Sequence, residues 1–222
     1  MSTQTISTRQ NHTERVRRVG RWCVAAGLVG VLQAITVLVW PAQVSADRYS
    51  FPFTPVGHVV MQATLCVQHM VLAVALVTLC TLPPVRSSRV ARAAWGAAAA
   101  AMAVLAVMEV VNAVLADDAA DSAGAEVAGT GYGVLSILVG LGLVIGGVVA
   151  VRRPRTGWES APRLPVVVLA LGVYVFVPLT PAIMGPFVLR FAALAGWMLL
   201  FALLGLGLTR VTAPRGRASR ST

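Results

Sequence analysis

The stretch 131–151 reads GYGVLSILVGLGLVIGGVVAV and contains no charged residue. At a rise of 1.5 Å per residue, a helix of about 20 residues crosses the ~30 Å hydrocarbon core of a bilayer. Acidic residues precede the stretch and arginines follow it: Asp117, Asp118, Asp121 and Glu126 on one side, and Arg152, Arg153, Arg155 and Arg163 on the other. The stretch therefore predicts a transmembrane helix with flanks of opposite charge.

The same arrangement recurs along the chain. Apolar segments of membrane-spanning length alternate with short polar ones, and the predicted spans are 22–40, 58–82, 90–116, 131–151, 164–183 and 187–209. All 18 basic residues are arginines, and 16 of them lie in the terminal stretches 1–21 and 210–222 and the segments 83–92 and 152–163. Because basic segments stay in the cytoplasm during insertion, both termini are predicted to be cytoplasmic, and 41–57 and 117–130 to lie outside. The predicted fold is an all-α, polytopic transmembrane bundle of six helices.

The chain is predicted to form one transmembrane domain, 21–210, between two tails. Residues 1–20 and 211–222 are rich in arginine and in small polar residues, a composition that favours disordered basic tails in the cytoplasm. An alternative is that residues 1–46 form a cleaved signal peptide, because the small residues 44–46 fit a cleavage site. Trp22 and Trp40 bracket the first apolar run as two interfacial anchors do, which favours a retained span.

Composition excludes a soluble domain, since 57% of the residues are hydrophobic and only 12% are charged. The net charge of +10 does not indicate nucleic-acid binding, because the arginines flank apolar segments and no basic stripe with interleaved aromatic residues is present. We expect the arginines to contact anionic lipid headgroups at the inner face. The absence of lysine and the abundance of alanine and valine are typical of a bacterial protein, so we expect a multi-pass protein of a bacterial plasma membrane.

Few polar side chains fall inside the predicted spans, and each of them needs a partner there. The second span carries His58, Gln62 and His69, which share one helical face because their spacings bring them within 40° of one another. The third span carries Glu109 and Asn112, one turn apart. These groups are the candidate functional residues, together with an arginine in the sixth span.

The predicted depths of these side chains in the membrane are similar, which suggests that they form one site. Glu109 near the end of the third span and Arg190 near the start of the sixth are predicted to form an ion pair in the outer half of the bundle. The predicted site is a polar ligand-binding pocket lined by His58, Gln62, Glu109, Asn112 and Arg190, with His69 as an additional candidate. The alternative is a structural clasp, in which Glu109 and Arg190 only hold helices together.

The fourth span carries small residues at helical spacing, which allow helices to approach closely in lipid. These residues are Ser136, Gly140, Gly142 and Gly146. They predict either an interface between copies of the chain, giving a homo-oligomer, or close packing within the bundle.

Three classes of function remain open. The first is a small transporter, permease-like or accessory component whose pocket binds a small solute or a lipid headgroup. The second is a structural or interaction protein. The third and weaker class is a membrane enzyme that uses Glu109 and His58, or a protein that binds haem or a metal. Against this class, HExxH and GxSxG motifs are absent, and His58 and His69 lie ~16 Å apart on one face. No catalytic residue, cofactor or metal is therefore predicted, although one carboxylate beside a histidine could relay protons.

Overall fold

A computed structural model of the chain describes residues 3–152, 158, 163–183 and 186–211. In chain order the helices are α1 (Thr3–Val39), α2 (Pro55–Thr81), α3 (Pro83–Arg86), α4 (Arg89–Val114), α5 (Ala123–Val151), α6 (Leu164–Tyr174), α7 (Thr180–Ile183) and α8 (Phe187–Thr209). A 3-10 turn, Leu115–Asp117, follows α4, and a π-helical segment, Val175–Leu179, joins α6 to α7.

Six helical segments are long and apolar enough to cross a membrane, which confirms the predicted all-α bundle. They are Gln10–Val39, Pro55–Thr81, Arg89–Asp117, Ala123–Val151, Leu164–Ala182 and Phe187–Thr209. We call the end of the bundle where α2 ends and α4 begins the arginine end, and the end that carries the loops 40–54 and 118–122 the loop end. The cytoplasmic position of the termini stays a prediction.

Short polar residues and prolines fix where these helices begin and end. The side chains of Thr54, Ser88 and Ser122 each accept a hydrogen bond from a backbone N–H in the first turn of α2, α4 and α5, respectively. The α2 helix ends at Thr81, just before the two prolines that open α3.

Two predicted boundaries differ from the structure. The α1 helix is continuous from Thr3, where the sequence predicts a disordered tail over 1–20, and it carries the arginines of this region along one helix. The α5 helix begins at Ala123 rather than at 131, because Ser122 caps a run of small residues that the sequence analysis assigned to a loop. Of the predicted tail 211–222, all but the first residue lies outside the described residues.

The small residues of α5 are buried between helices of the same chain. Ser136, Gly140, Gly142 and Gly146 are all buried. A Cβ at Gly142 would lie 2.5 Å from the Ala94 carbonyl oxygen of α4, and one at Gly140 would lie 3.1 Å from Val175. The α5 helix thus approaches α4 on one face and the segment after α6 on another, as the packing interpretation of these residues predicts.

A second close contact joins the first and last spans. A Cβ at Gly27 of α1 would lie 2.6 Å from the Met198 carbonyl oxygen of α8, and one at Gly20 would lie 2.8 Å from that of Gly205. The Cys23 thiol, between them, donates to the Phe201 carbonyl oxygen at 3.3 Å. We call this contact, formed by Gly20, Gly27 and Gly205, the glycine seam.

Candidate functional site

Glu109 of α4 is the centre of a buried polar group of side chains. Only 1% of its surface is exposed. Its Oε1 atom lies 3.0 Å from Nδ1 of His69 on α2 and accepts a hydrogen bond from the Tyr132 hydroxyl of α5. We call Glu109, His69 and Tyr132 the carboxylate cluster. It joins three membrane-spanning helices at one oxygen atom.

The directions of α2 and α4 explain why His69 and Glu109 meet. Side chains in a helix tilt toward its N-terminus. The α2 helix begins at the loop end, so the His69 side chain tilts toward that end, whereas α4 begins at the arginine end and Glu109 tilts the opposite way. The two side chains therefore converge although their backbones start at different depths.

Several atoms around the cluster lack a hydrogen-bond partner among the described residues. The second carboxylate oxygen of Glu109, Oε2, is one, and the hydroxyl of Ser136, one turn after Tyr132, is another. His69 Nδ1 is a third, because its 3.0 Å contact with Glu109 Oε1 does not have the geometry of a hydrogen bond. The Trp197 indole of α8 lies 6.3 Å from the His69 ring between centroids, and its N–H is also unpartnered. Buried polar groups are normally paired, so unused hydrogen-bonding capacity is concentrated at this depth.

A second polar layer lies closer to the loop end. The Tyr49 hydroxyl donates to Oδ1 of Asn112 at 2.7 Å. The ring of Tyr49 meets the His58 imidazole edge-on, with 5.6 Å between centroids, and Gln62 Nε2 lies 3.0 Å from His58 Nε2. Burial raises the pKa of the Tyr49 hydroxyl, the Glu109 carboxylate raises it further, and Arg190 opposes both. The layer of Tyr49, Asn112, His58 and Gln62 covers the carboxylate cluster.

Backbone contacts between two loops position Tyr49. Its amide donates to the Asp118 carbonyl oxygen at 3.0 Å, and the Ala120 amide donates to the Asp47 carbonyl oxygen at 2.7 Å. The Arg48 guanidinium donates to the Asp117 carbonyl oxygen at 2.8 Å. The loop 40–54 is therefore fastened to the segment that connects α4 to α5, above the polar layer.

The structure brings most of the predicted site residues together, with one exception. His58, Gln62, His69, Glu109 and Asn112 are all buried between α2 and α4.

The predicted ion pair between Glu109 and Arg190 is wrong. Glu109 contacts His69 instead, and Arg190 is exposed. Two features of α8 explain the difference. The helix packs mainly on α1 and α6 rather than on α4, and Arg190 lies in its first turns, where a side chain tilts outward to the loop end.

Two tyrosines of the site were not predicted. The predicted span 131–151 puts Tyr132 at its very start, whereas the helix begins eight residues earlier and Tyr132 lies well inside it. The N-capping pattern of Ser122 followed by small residues and Glu126 carries the signal for that start. Tyr49 lies in the segment 41–57, which is predicted to be outside, and no sequence pattern indicates that its hydroxyl reaches Asn112.

The chemistry available to the cluster is proton exchange. A carboxyl group accepts the Tyr132 hydrogen bond whether it is ionised or neutral, so the cluster can gain or lose a proton and keep this contact. Within the described part of the chain, no three His, Cys, Asp or Glu side chains converge as metal ligands would. No family model, curated protein or solved structure matches this chain.

Proposed function

We propose that this multi-pass membrane protein is a small transporter or accessory transport component whose carboxylate cluster is a proton-binding centre. The observation that carries the proposal is the shared oxygen of Glu109, which His69 and Tyr132 both approach while Oε2 has no partner among the described residues. Ionisable groups at membrane depth are costly, and in transport proteins they mark proton and ion pathways.

The polar layer lies between this centre and the loop end of the bundle. His58 and Gln62 lie one turn apart on α2, and Tyr49 and Asn112 close the layer from the loop and from α4. Each of these side chains can donate a hydrogen bond to a small polar solute or accept one from it. In this proposal the solute binds at the layer, the proton binds at Glu109, and the two events are coupled because the sites share α2 and α4. The proposed location is the plasma membrane of a bacterium.

Infrared spectroscopy of the purified full-length protein tests the proton-binding part. Spectra are recorded over a series of pH values, because a carboxylate that takes up a proton gains a carboxyl carbonyl band. We expect a difference band from a carboxyl carbonyl that Glu109→Gln removes. Glu126→Gln is the matched control, because Glu126 is exposed in the first turn of α5 and should leave this band intact.

Proteoliposomes with a pH-sensitive dye inside test the transport part. After an acid pulse outside, we expect the wild-type protein and Glu126→Gln to acidify the lumen faster than liposomes without protein. Glu109→Gln should return the rate to that of empty liposomes. A band without faster acidification contradicts transport, and the absence of both contradicts the proposal.

A structural clasp is the second candidate, because the same contacts fasten α2, α4 and α5 together around a fully buried carboxylate. It predicts that Glu109→Gln changes thermal stability in detergent without any change in proton binding or flux.

A further inference from the structure

An apolar groove of about 310 Å³ lies between α1 and α2, toward the arginine end. Val19 and Trp22 line it from α1, and Cys66, Met70 and Val74 are among the residues that line it from α2. None of the lining residues is charged. The groove exists because the glycine seam draws α1 against α8, which leaves α1 packed less closely on α2.

Two arginines lie directly beyond the α1 side of this groove. Arg15 and Arg18 precede Val19 and Trp22 by four residues each, which places them ~6 Å farther along the same helical face. Both are exposed, and no carboxylate of the described residues, including that of Glu14, lies within ion-pair distance of them. In contrast, Arg17 donates to the Val211 carbonyl oxygen at 2.9 Å and is used in packing.

The geometry points to a binding site for one anionic phospholipid, with an acyl chain in the groove and the phosphate at Arg15 and Arg18. Trp22 is 63% exposed at the groove and marks the level of the membrane interface. The guanidinium groups of Arg18 and Arg15, one and two turns beyond it, lie at headgroup depth, where guanidiniums bind phosphate oxygens in pairs. From Val74 to Cys66 the groove extends ~12 Å along α2 into the hydrocarbon layer.

The size of the groove favours a lipid over a helix of another protein. A helix with its side chains is about 10–12 Å across and does not enter a space of 310 Å³. The charge favours an anionic lipid over a zwitterionic one, because two guanidiniums with no carboxylate partner among the described residues meet a headgroup with net negative charge.

Native mass spectrometry of the full-length protein tests the site, with phosphatidylglycerol and phosphatidylcholine of identical acyl chains as probes. We expect phosphatidylglycerol to bind about tenfold more tightly. The double variant Arg15→Gln with Arg18→Gln should abolish this preference. The control is Arg89→Gln with Arg92→Gln, two exposed arginines at the same end on α4, which should retain it. Equal binding of the two lipids by the wild type, or equal loss in the control, overturns the proposal.

A groove-filling variant tests the acyl-chain part. Val71 lines the groove and Val77 does not, although both lie on α2. Val71→Phe should weaken binding of both lipids, and Val77→Phe should not. Circular dichroism establishes that each variant is folded. The double substitution of the exposed Arg15 and Arg18 tests the site without any change in the packing of the groove. Unchanged lipid binding by folded Val71→Phe, or displacement of the lipid by glycerol phosphate alone, contradicts a site that holds the acyl chain.

Discussion

The bundle joins its helices in two different ways. At the glycine seam, α1 and α8 meet because Gly20, Gly27 and Gly205 have no side chains to separate the backbones. At the carboxylate cluster, α2, α4 and α5 meet around Glu109, which accepts a hydrogen bond from Tyr132 and makes a close polar contact with His69. The seam relies on dispersion between closely packed backbones, and the cluster relies on polar contacts in a medium without water.

The difference between them indicates which contact serves more than packing. At the seam, the polar Cys23 thiol has an acceptor in the Phe201 carbonyl oxygen. At the cluster, Glu109 Oε2, Ser136 Oγ and the Trp197 indole N–H have no partner in the described chain. A charged residue at mid-bilayer costs about 2.5–3.5 kcal/mol on insertion scales, and glycines avoid that cost. The seam shows that this chain can join helices without charges, so the buried carboxylate supports a function at the cluster.

The largest expected effect is that of Gly27→Leu, which should separate α1 from α8. A Cβ at this position would lie 2.6 Å from the Met198 carbonyl oxygen and 2.7 Å from the Ala202 amide nitrogen, so the backbones must move apart. We expect a loss of about 3 kcal/mol or more. The control is Gly133→Leu, since a Cβ at Gly133 of α5 meets nothing within 4 Å. Unfolding in mixed micelles at increasing dodecyl sulfate measures both, and equal stability of the two variants would mean that the seam does not form.

Next in size is the loss of the cluster's shared acceptor. Glu109→Ala removes the acceptor of the Tyr132 hydroxyl and the close polar contact of His69, and we expect it to destabilise the protein by about 2–3 kcal/mol. Together with Tyr132→Phe, it should show a coupling of about 0.5–3 kcal/mol, whereas Glu109→Ala and Arg190→Leu should add to within about 0.5 kcal/mol. Double-mutant cycles in the same unfolding assay measure these values. A strong coupling to Arg190 and none to Tyr132 would contradict the structure.

The sequence predicted both the spans of the bundle and the buried face of α2. Charge segregation and apolar length yielded the number of spans, and four of the six predicted spans agree with the structure to within three residues at each end. Helical periodicity placed His58, Gln62 and His69 on one buried face, and the structure confirms this.

Pairing between distant helices could not be predicted in the same way. Depth along a helix does not specify which helices are neighbours, so Glu109 was matched to Arg190, the nearest opposite charge by depth. The actual partners depend on the order in which helices pack and on the tilt of side chains toward each N-terminus. The glycine seam was missed for the same reason, because Gly20 and Gly205 lie at opposite ends of the sequence.

A smaller effect is expected at the polar layer that covers the cluster. Tyr49→Phe removes the hydrogen bond to Asn112 and should cost about 1 kcal/mol at neutral pH. Because the pKa of Tyr49 is raised above its ordinary value of 10.0, the folded protein favours the neutral phenol. This contribution is complete below pH 10 and is lost as the pH rises through the raised pKa. Thermal unfolding across this alkaline range should therefore show less destabilisation in Tyr49→Phe than in the wild type, and identical pH profiles would contradict the buried hydroxyl.

The smallest expected change in stability is that of Ser136→Ala, which should stabilise the protein rather than destabilise it. Ser136 is 1% exposed, and its hydroxyl has no partner among the described residues, so the folded protein bears the cost of a buried, unused polar group. Ser136→Ala removes that group with little change in volume and should stabilise the protein by up to about 1 kcal/mol. The same substitution should reduce proton flux if the hydroxyl serves a water molecule beside Tyr132 and Glu109. Stability and flux are measured on the same preparation. Higher stability with lower flux identifies a polar group kept for function, whereas lower stability contradicts the absence of a hydrogen-bond partner for the Ser136 hydroxyl.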